Sequence, residues 1–188
     1  MHPLVADFVS ACRSAADRCA QASDCVLAIA PLMQRLASSA DEFLTPAHRR
    51  PSPAGYARNA IFLPPDGQLS LYALVWSPGQ WTPVHDHGSW GVVGVVDGVL
   101  EERSYLPQDG EIVRDDGIRL KRGGVVLLGP GSVSTFVPNP DHIHMTGVPQ
   151  ERPTAVSLHL YGRTMNAFHV YDVGAGTRRL IDVPHQDS

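Results

Sequence analysis

From residue 57 onward the chain alternates short apolar runs with turn-forming residues, and this pattern limits the possible folds more than any other feature. The runs are rich in Val, Leu, Tyr and Trp, and breaks such as Pro64-Pro65-Asp66-Gly67 and Ser77-Pro78-Gly79 separate them. Proline presets φ and glycine permits positive φ, so each break is a turn. The pattern predicts these strands: Ala57–Leu63, Leu69–Trp76, Gly91–Asp97, Leu100–Leu106, Ile112–Leu120, Val125–Leu128, Val133–Val137, His142–Thr146, Ala155–Tyr161 and Ala167–Asp172.

Short strands joined by hairpin turns, with no long helix between them, favour an antiparallel β-barrel or jelly roll. We assign this mainly β fold to residues 55–173. Before it, apolar residues recur at intervals of three and four, which predicts two or three helices within residues 1–50. Ser23 and Asp24 are the predicted caps of the second helical run. Residues 174–188 form a polar tail, and residues 1–188 are expected to make one domain.

Charge and cysteine usage exclude several classes of partner. The net charge is −4 and no cluster of Lys or Arg marks a phosphate-binding stripe, so we expect no nucleic acid partner. No secretory leader pattern and no membrane-length apolar run are present, which predicts a soluble cytoplasmic protein, taken here as a monomer. Cys12, Cys19 and Cys25 are odd in number and are interpreted as reduced, small apolar residues.

Two histidines separated by one residue supply the first chemical signal. Side chains alternate between faces along a strand, so His85 and His87 share one face and Asp86 points to the other. Imidazoles spaced in this way can converge on a divalent ion at about 2.0–2.2 Å. His142 and His144 repeat the alternation, and the residues alone leave open which of them completes such a site.

A second alternating segment is Ser157-Leu158-His159-Leu160-Tyr161, with polar residues on one face and leucines on the other. Buried polar groups must be bonded to each other or to a ligand, so the polar face predicts a hydrogen-bonded line of side chains. The remaining histidines are interpreted as surface or structurally satisfied residues: His2, His48, His169 and His185.

The order Gly79, five residues, His85, one residue, His87 and then Gly98 resembles the first motif of the cupin superfamily. The usual cupin motif has a glutamate ligand four residues after the second histidine, where this chain has Gly91. A cupin that lacks this glutamate but keeps a late histidine resembles the thiol dioxygenases, whose iron is held by three histidines. Three segments are similar to cysteine dioxygenase motifs in the same order, within residues 55–162: Tyr56-Ala57-Arg58-Asn59, Pro83-Val84-His85-Asp86-His87 and Ser157-Leu158-His159-Leu160-Tyr161.

The resemblance implies an iron(II) cofactor and a role for each matching residue. It makes His85, His87 and His144 the metal ligands, and His144 is preferred to His142 because its spacing to Ser157 matches the family. Arg58 takes the place of the arginine that holds the substrate carboxylate. The remaining implied roles are an outer relay of Ser157, His159 and Tyr161, and support of Arg58 by Tyr56.

The resemblance also implies the reaction: dioxygenation of a small thiol, L-cysteine, to cysteine sulfinic acid. Mammalian members crosslink a cysteine to the active-site tyrosine, and the corresponding place here is about Gly91, so no Cys-Tyr crosslink is expected. 3-Mercaptopropionate dioxygenases are similar around His85 to Gly94 but tend to carry glutamine where Arg58 stands, which makes 3-mercaptopropionate the alternative substrate. A cupin isomerase or hydrolase with zinc or manganese, and a non-catalytic sensor, are the remaining alternatives.

Overall fold

The computed structural model describes residues 1–138 and 142–183. The helices lie at the amino-terminal end: α1 Pro3–Arg18, α2 Ala22–Ser38 and α3 Ala40–Phe43. The strands follow: β1 Ala57–Phe62, β2 Ser70–Trp76, β3 Val84–His85, β4 Gly91–Asp97, β5 Leu100–Pro107, β6 Leu120–Leu128, β7 Val133–Phe136, β8 Ile143–Gly147, β9 Ala155–Tyr161, β10 Ala167–Asp172 and β11 Thr177–Asp182. No helix in these described ranges is long and apolar enough to cross a membrane.

The strands form two antiparallel sheets. One has the order β1-β2-β9-β4-β7 and the other the order β11-β10-β3-β8-β5-β6. Apolar side chains from both sheets meet in one core, which includes Leu74 and Val93 from the first and Leu100, Leu128 and Phe168 from the second. This architecture confirms the mainly β fold preceded by a small helical segment.

The helices pack on the outer face of the first sheet. α2 lies against β4 and β7, and its side chains Ile29 and Met33 are fully buried. At Gly94 the helix and sheet approach closely, because an added Cβ would lie 2.8 Å from Met33 Cγ. Burial of this apolar helix stripe leaves the other face of the sheet free to line the interior.

Strand β9 shows how the two faces are used. All seven of its residues are buried. Leu158 and Leu160 belong to the core under the helices, whereas Ser157, His159 and Tyr161 face the space between the sheets. The alternation predicted from the sequence therefore separates a packing face from a polar interior face.

Two local predictions were wrong for reasons of turn chemistry. The predicted strand Ile112–Leu120 is a loop of bends, with Gly110 and Gly117 at positive φ of 83° and 66°, and the strand begins only at Leu120. Ser23 and Asp24 lie inside the first turn of α2, whose N-cap is Gln21. Asp24 still marks the start of the helix, because an acidic side chain in the first turn is stabilised by the positive end of the helix dipole.

Two strands were missed. β3 has only two residues, too few to produce an alternating pattern. β11, Thr177–Asp182, lies in the predicted tail and pairs with β10 at the edge of the second sheet. Its polar composition reflects an edge position, where side chains remain exposed. Residues 184–188 of the predicted tail, including His185, lie outside the described residues.

Candidate metal centre

The second sheet brings three histidines to one point. His85 on β3 pairs directly with His144 on β8, and directly opposed residues of an antiparallel pair project to the same face. His87 follows two residues after His85. The ring centroids lie 4.7 Å apart for His85 and His87, 4.7 Å for His85 and His144, and 5.0 Å for His87 and His144.

The donor set fits a divalent metal ion. One nitrogen from each of the three rings lies within 4.8 Å of the others. His85 Nδ1 is 3.0 Å from the Pro83 carbonyl oxygen and His144 Nδ1 is 3.4 Å from Thr146 Oγ1, which leaves Nε2 of each ring for a metal. His87 Nδ1 is buried and has no hydrogen-bond partner among the described residues, so this ring is also not committed to the protein.

Burial keeps these rings neutral, as metal ligands must be. It lowers the pKa of His144 to about 3, and together with the neighbouring His144 it lowers the pKa of His85 to about 3. The pKa of His87 is also lowered well below its usual value, mainly by burial. The three rings thus offer uncharged nitrogen at neutral pH, with no carboxylate in the group.

A line of polar side chains crosses the first sheet beside the histidines. Trp76 Nε1 donates to Ser157 Oγ at 2.9 Å, Ser157 Oγ is 2.9 Å from His159 Nε2, and His159 Nδ1 is 3.3 Å from the Tyr161 hydroxyl. Burial lowers the pKa of His159 to about 3 and raises the pKa of Tyr161 well above its usual value. The line therefore consists of a neutral imidazole and a protonated phenol.

The tryptophan favours one direction for the hydrogen bonds in this line. An indole N–H can only donate, so Ser157 Oγ accepts from Trp76 and its own proton is free to go to His159 Nε2. A neutral ring that accepts at Nε2 carries its hydrogen at Nδ1 and donates it to the Tyr161 oxygen. This polarity uses the donors of Trp76, Ser157 and His159 and leaves the Tyr161 hydroxyl proton for a group in the interior.

Arg58 reaches the same interior space from β1. Its side chain is 7% exposed, its guanidinium carbon lies 4.8 Å from the centroid of the Tyr72 ring, and Nη2 donates to the Met165 carbonyl oxygen. Nη1 is buried and has no hydrogen-bond partner among the described residues. Tyr56, the predicted support, stacks on Trp76 with 4.6 Å between ring centroids.

One narrow cavity joins these groups. It is lined by Tyr56, Arg58, Leu74, Trp76, Thr82, His85, His87, Val93, Phe136, His144, Thr146, His159, Tyr161, Met165 and Phe168. The sequence did not predict Trp76 as a partner of Ser157. The two side chains meet because β2 pairs with β9 in a register that sets Leu74 opposite Ser157, and this register cannot be deduced from either strand alone. Trp90 is not among the lining residues and packs with the core under the helices.

The position of the missing cupin glutamate is filled by an aromatic ring. Gly91 pairs directly with Tyr161, and a Cβ at Gly91 would lie 2.2 Å from Phe136 Cζ. Cys12, Cys19 and Cys25 are free. They lie within or at the ends of the helices and are far in sequence from Gly91 and Tyr161. Burial raises the pKa of the Cys12 thiol to about 12 and that of Cys25 to about 11.

Substitution of Gly91 by Glu is expected to lower the free energy of unfolding by about 3 kcal/mol or more, because the side chain must displace Phe136 and bury a carboxylate. Urea unfolding followed by circular dichroism measures the effect. Gly124→Glu is the matched control, since nothing lies within 4 Å of its Cβ position. Equal stability of the two variants would show that the ring yields and that position 91 can hold a ligand.

Asp86 secures the histidine segment from behind. The carboxylate is 2% exposed and accepts hydrogen bonds from the Tyr171 hydroxyl at 2.8 Å and from the His169 backbone N–H at 3.1 Å. His169 Nδ1 is 3.2 Å from the same carboxylate, in agreement with a structural role. His2 and His48 also have local partners, since His2 caps α1 and His48 Nδ1 accepts from the Thr45 backbone N–H.

Comparison with known proteins places this site in a family. The family model described as "Cysteine dioxygenase type I" matches residues 6–174. Among solved structures, the chain is similar to a double-stranded β-helix protein from Klebsiella pneumoniae (15% identity, TM-score 0.45, 76% of this chain and 94% of that chain). It is also similar to a cupin-like protein from Thermotoga maritima (14%, 0.42, 70% and 82%) and to an oxalate oxidase (15%, 0.47, 68% and 62%). The family match covers most of the sequence, so the chain belongs to the cysteine dioxygenase type I family.

Proposed function

We propose that this protein is an iron(II)-dependent thiol dioxygenase that converts L-cysteine and dioxygen to cysteine sulfinic acid. The observation that carries the proposal is the placement of an unpaired, buried arginine nitrogen, Arg58 Nη1, in the same cavity as His85, His87 and His144. This arrangement suits a substrate with a metal-binding sulfur at one end and a carboxylate at the other.

Arg58 supplies the carboxylate end. A buried guanidinium nitrogen without a partner is costly, and a substrate carboxylate would satisfy it by a charge-assisted hydrogen bond. The contacts of Arg58 with Met165 and the Tyr72 ring hold the guanidinium in place before substrate arrives. A cation held in this way fixes where the substrate carboxylate lies relative to the metal site.

His85, His87 and His144 would hold the metal. Bound iron(II) would supply binding of the thiolate and the redox chemistry that joins both atoms of dioxygen to sulfur, and a neutral ligand set leaves it the full double positive charge that favours an anion. The surrounding side chains exclude water, since the three rings are buried between the sheets.

Tyr161 would act as a hydrogen-bond donor toward the reacting end of the substrate. The polarity of the line from Trp76 leaves its proton available, and the raised pKa of Tyr161 keeps it protonated at neutral pH. A donor aimed at developing negative charge stabilises a transition state most when water is excluded. We propose that this tyrosine acts without a crosslinked cysteine.

Cavity size favours a compact thiol. The free volume is about 20 Å³, little more than one water-sized sphere, which occupies about 10–15 Å³. A peptide or long-chain thiol is excluded, and even cysteine requires the lining side chains to move apart slightly. 3-Mercaptopropionate has a similar length and keeps the carboxylate, so it is the alternative substrate and differs only by the missing amine.

The proposal is tested by oxygen consumption of the purified, iron(II)-loaded protein with a panel of small thiols. We expect uptake with L-cysteine and weaker uptake with cysteamine, which lacks the carboxylate. Faster turnover of 3-mercaptopropionate than of cysteine would reassign the substrate within the same reaction. Zinc bound stoichiometrically in the protein as purified, with no uptake after iron loading, would favour a different metal chemistry.

Replacement of Trp76 by Phe is expected to lower kcat for cysteine about fivefold, the equivalent of about 1 kcal/mol for one lost hydrogen bond, with little change in KM. The ring is kept, so the stacking on Tyr56 survives while the donor to Ser157 is lost. Trp90→Phe serves as the control because that side chain packs outside the cavity. Equal kinetics in both variants would show that the direction of the line does not depend on Trp76.

We further propose that the protein works as a monomer in the cytoplasm, with the thiol and dioxygen as its partners. The free cysteines Cys12, Cys19 and Cys25 suit a reducing compartment. Cell fractionation and size-exclusion chromatography test these two points separately.

A further inference from the structure

A second group of metal-binding side chains lies behind the first centre. Glu102, His142 and His144 each offer a ligand atom within 4.8 Å of the others. Glu102 lies on β5, which pairs with β8, where Ser104 stands opposite His144 and Glu102 stands opposite Thr146. The group thus combines one carboxylate with two imidazoles, and it shares His144 with the first centre.

The distances in this group allow the three side chains to share one ion. His142 Nε2 is 3.7 Å from Glu102 Oε1, and His144 Nδ1 is 3.4 Å from Glu102 Oε2. Direct N–H···O bonds are shorter, at about 2.7–3.2 Å. Ligand atoms placed about 2.0–2.2 Å from one tetrahedral ion stand about 3.3–3.6 Å apart. Each carboxylate oxygen is therefore positioned as a neighbouring ligand would be.

The His142 ring carries a nitrogen that the described residues leave without a hydrogen bond. Its Nε2 is buried and has no hydrogen-bond partner among the described residues. The ring is held by stacking on Phe136, with centroids 5.1 Å apart and an interplanar angle of 16°, and by an edge contact with His144 at 4.3 Å. A fixed ring with an unused buried nitrogen normally has a ligand or water to satisfy it.

We propose that Glu102, His142 and His144 form a second site for a divalent ion of the zinc(II) class. His144 would contribute Nδ1 to this site and Nε2 to the first. A ring that binds two ions is an imidazolate, so filling both sites would release the His144 ring proton to solvent. Two imidazoles and one carboxylate suit zinc better than magnesium or calcium, which prefer all-oxygen sites. His142 also lines a surface cavity, together with Ser23 and Leu27. This inference rests on the cluster alone and does not depend on the proposed reaction.

The test is a zinc(II) titration of the metal-free, full-length protein by calorimetry, with metal content measured after gel filtration. The wild type is expected to bind two ions per chain. His142→Gln is expected to keep the first ion and to weaken the second at least about tenfold, the lower end of what loss of a supporting metal contact costs. His2→Gln is the matched control, since His2 is exposed at the start of α1 and leaves both sites intact.

Cobalt(II) provides an independent readout. Two cobalt ions bridged by the His144 ring are expected to show magnetic exchange coupling, and this coupling is expected to vanish in His142→Gln. Binding of a single ion by the wild type, or of two ions with wild-type affinity by His142→Gln, would overturn the proposal. In the first of these outcomes Glu102 would serve only to orient His144, and the proposed dioxygenase function would stand unaffected.

Discussion

Replacement of His87 by Ala is expected to lower iron(II) affinity by at least about 100-fold and to reduce thiol-dependent oxygen uptake to background. Loss of a supporting partner of a metal ligand already costs about 10- to 100-fold in affinity, so loss of a ligand should cost at least as much. The ring of His87 stacks on Phe136 at 4.0 Å between centroids, and the group of His85, His87 and His144 contains no carboxylate that could take its place. Iron content and initial rates measure the two effects.

Two controls separate a lost ligand from a damaged fold. Circular dichroism and thermal unfolding of His87→Ala should show a folded protein, and His2→Ala should retain iron and activity because His2 lies outside the cavity. Retention of stoichiometric iron and of wild-type oxygen uptake by His87→Ala would remove this histidine from the metal centre.

Substitution of Arg58 by Gln is expected to reduce kcat/KM for L-cysteine by about 100-fold, the equivalent of about 3 kcal/mol for a buried, charge-assisted contact. Glutamine keeps a donor but loses the charge and the fork, so most of the loss should appear as a raised KM. Cysteamine has no carboxylate, and its kcat/KM should change much less. Steady-state oxygen uptake with both thiols measures the difference.

The comparison of substrates guards against a purely structural effect, because Arg58 also contacts Met165 and the Tyr72 ring. Damage to the cavity as a whole would lower the rates of cysteine and cysteamine equally, and that result would contradict the assigned role. Arg13→Gln is the matched control, since Arg13 is exposed and pairs with Asp66 at the surface.

Local alternation in the sequence predicted a large part of this site. Ser157, His159 and Tyr161 alternate with leucines, which predicts that the three polar side chains share one face of a strand. In the structure they lie in one hydrogen-bonded line. His85 and His87 also lie with His144 in one group, although β3 ends at His85 and His87 follows the strand. Alternation is a local property, so it can be deduced without knowledge of the neighbouring strands.

What the sequence did not reveal depends on strand register. Trp76 meets Ser157 because β2 pairs with β9, and Glu102 meets His144 because β5 pairs with β8. A shift by one residue in either pairing would send these side chains to the opposite face. Neither register is marked by a motif, so both contacts were found only in the folded chain. The spacing argument that separated His144 from His142 came from the family resemblance and not from the residues themselves.

The most direct test of the account is the reaction of the iron(II)-loaded protein with L-cysteine under oxygen-18 gas, with the product analysed by mass spectrometry. A site that holds cysteine by Arg58 and by metal-bound sulfur predicts cysteine sulfinic acid carrying two labelled oxygen atoms, formed in proportion to the oxygen consumed. A product with fewer than two labelled oxygen atoms, which would show that oxygen came from water, or the absence of any sulfinate with every small thiol tried, would contradict it.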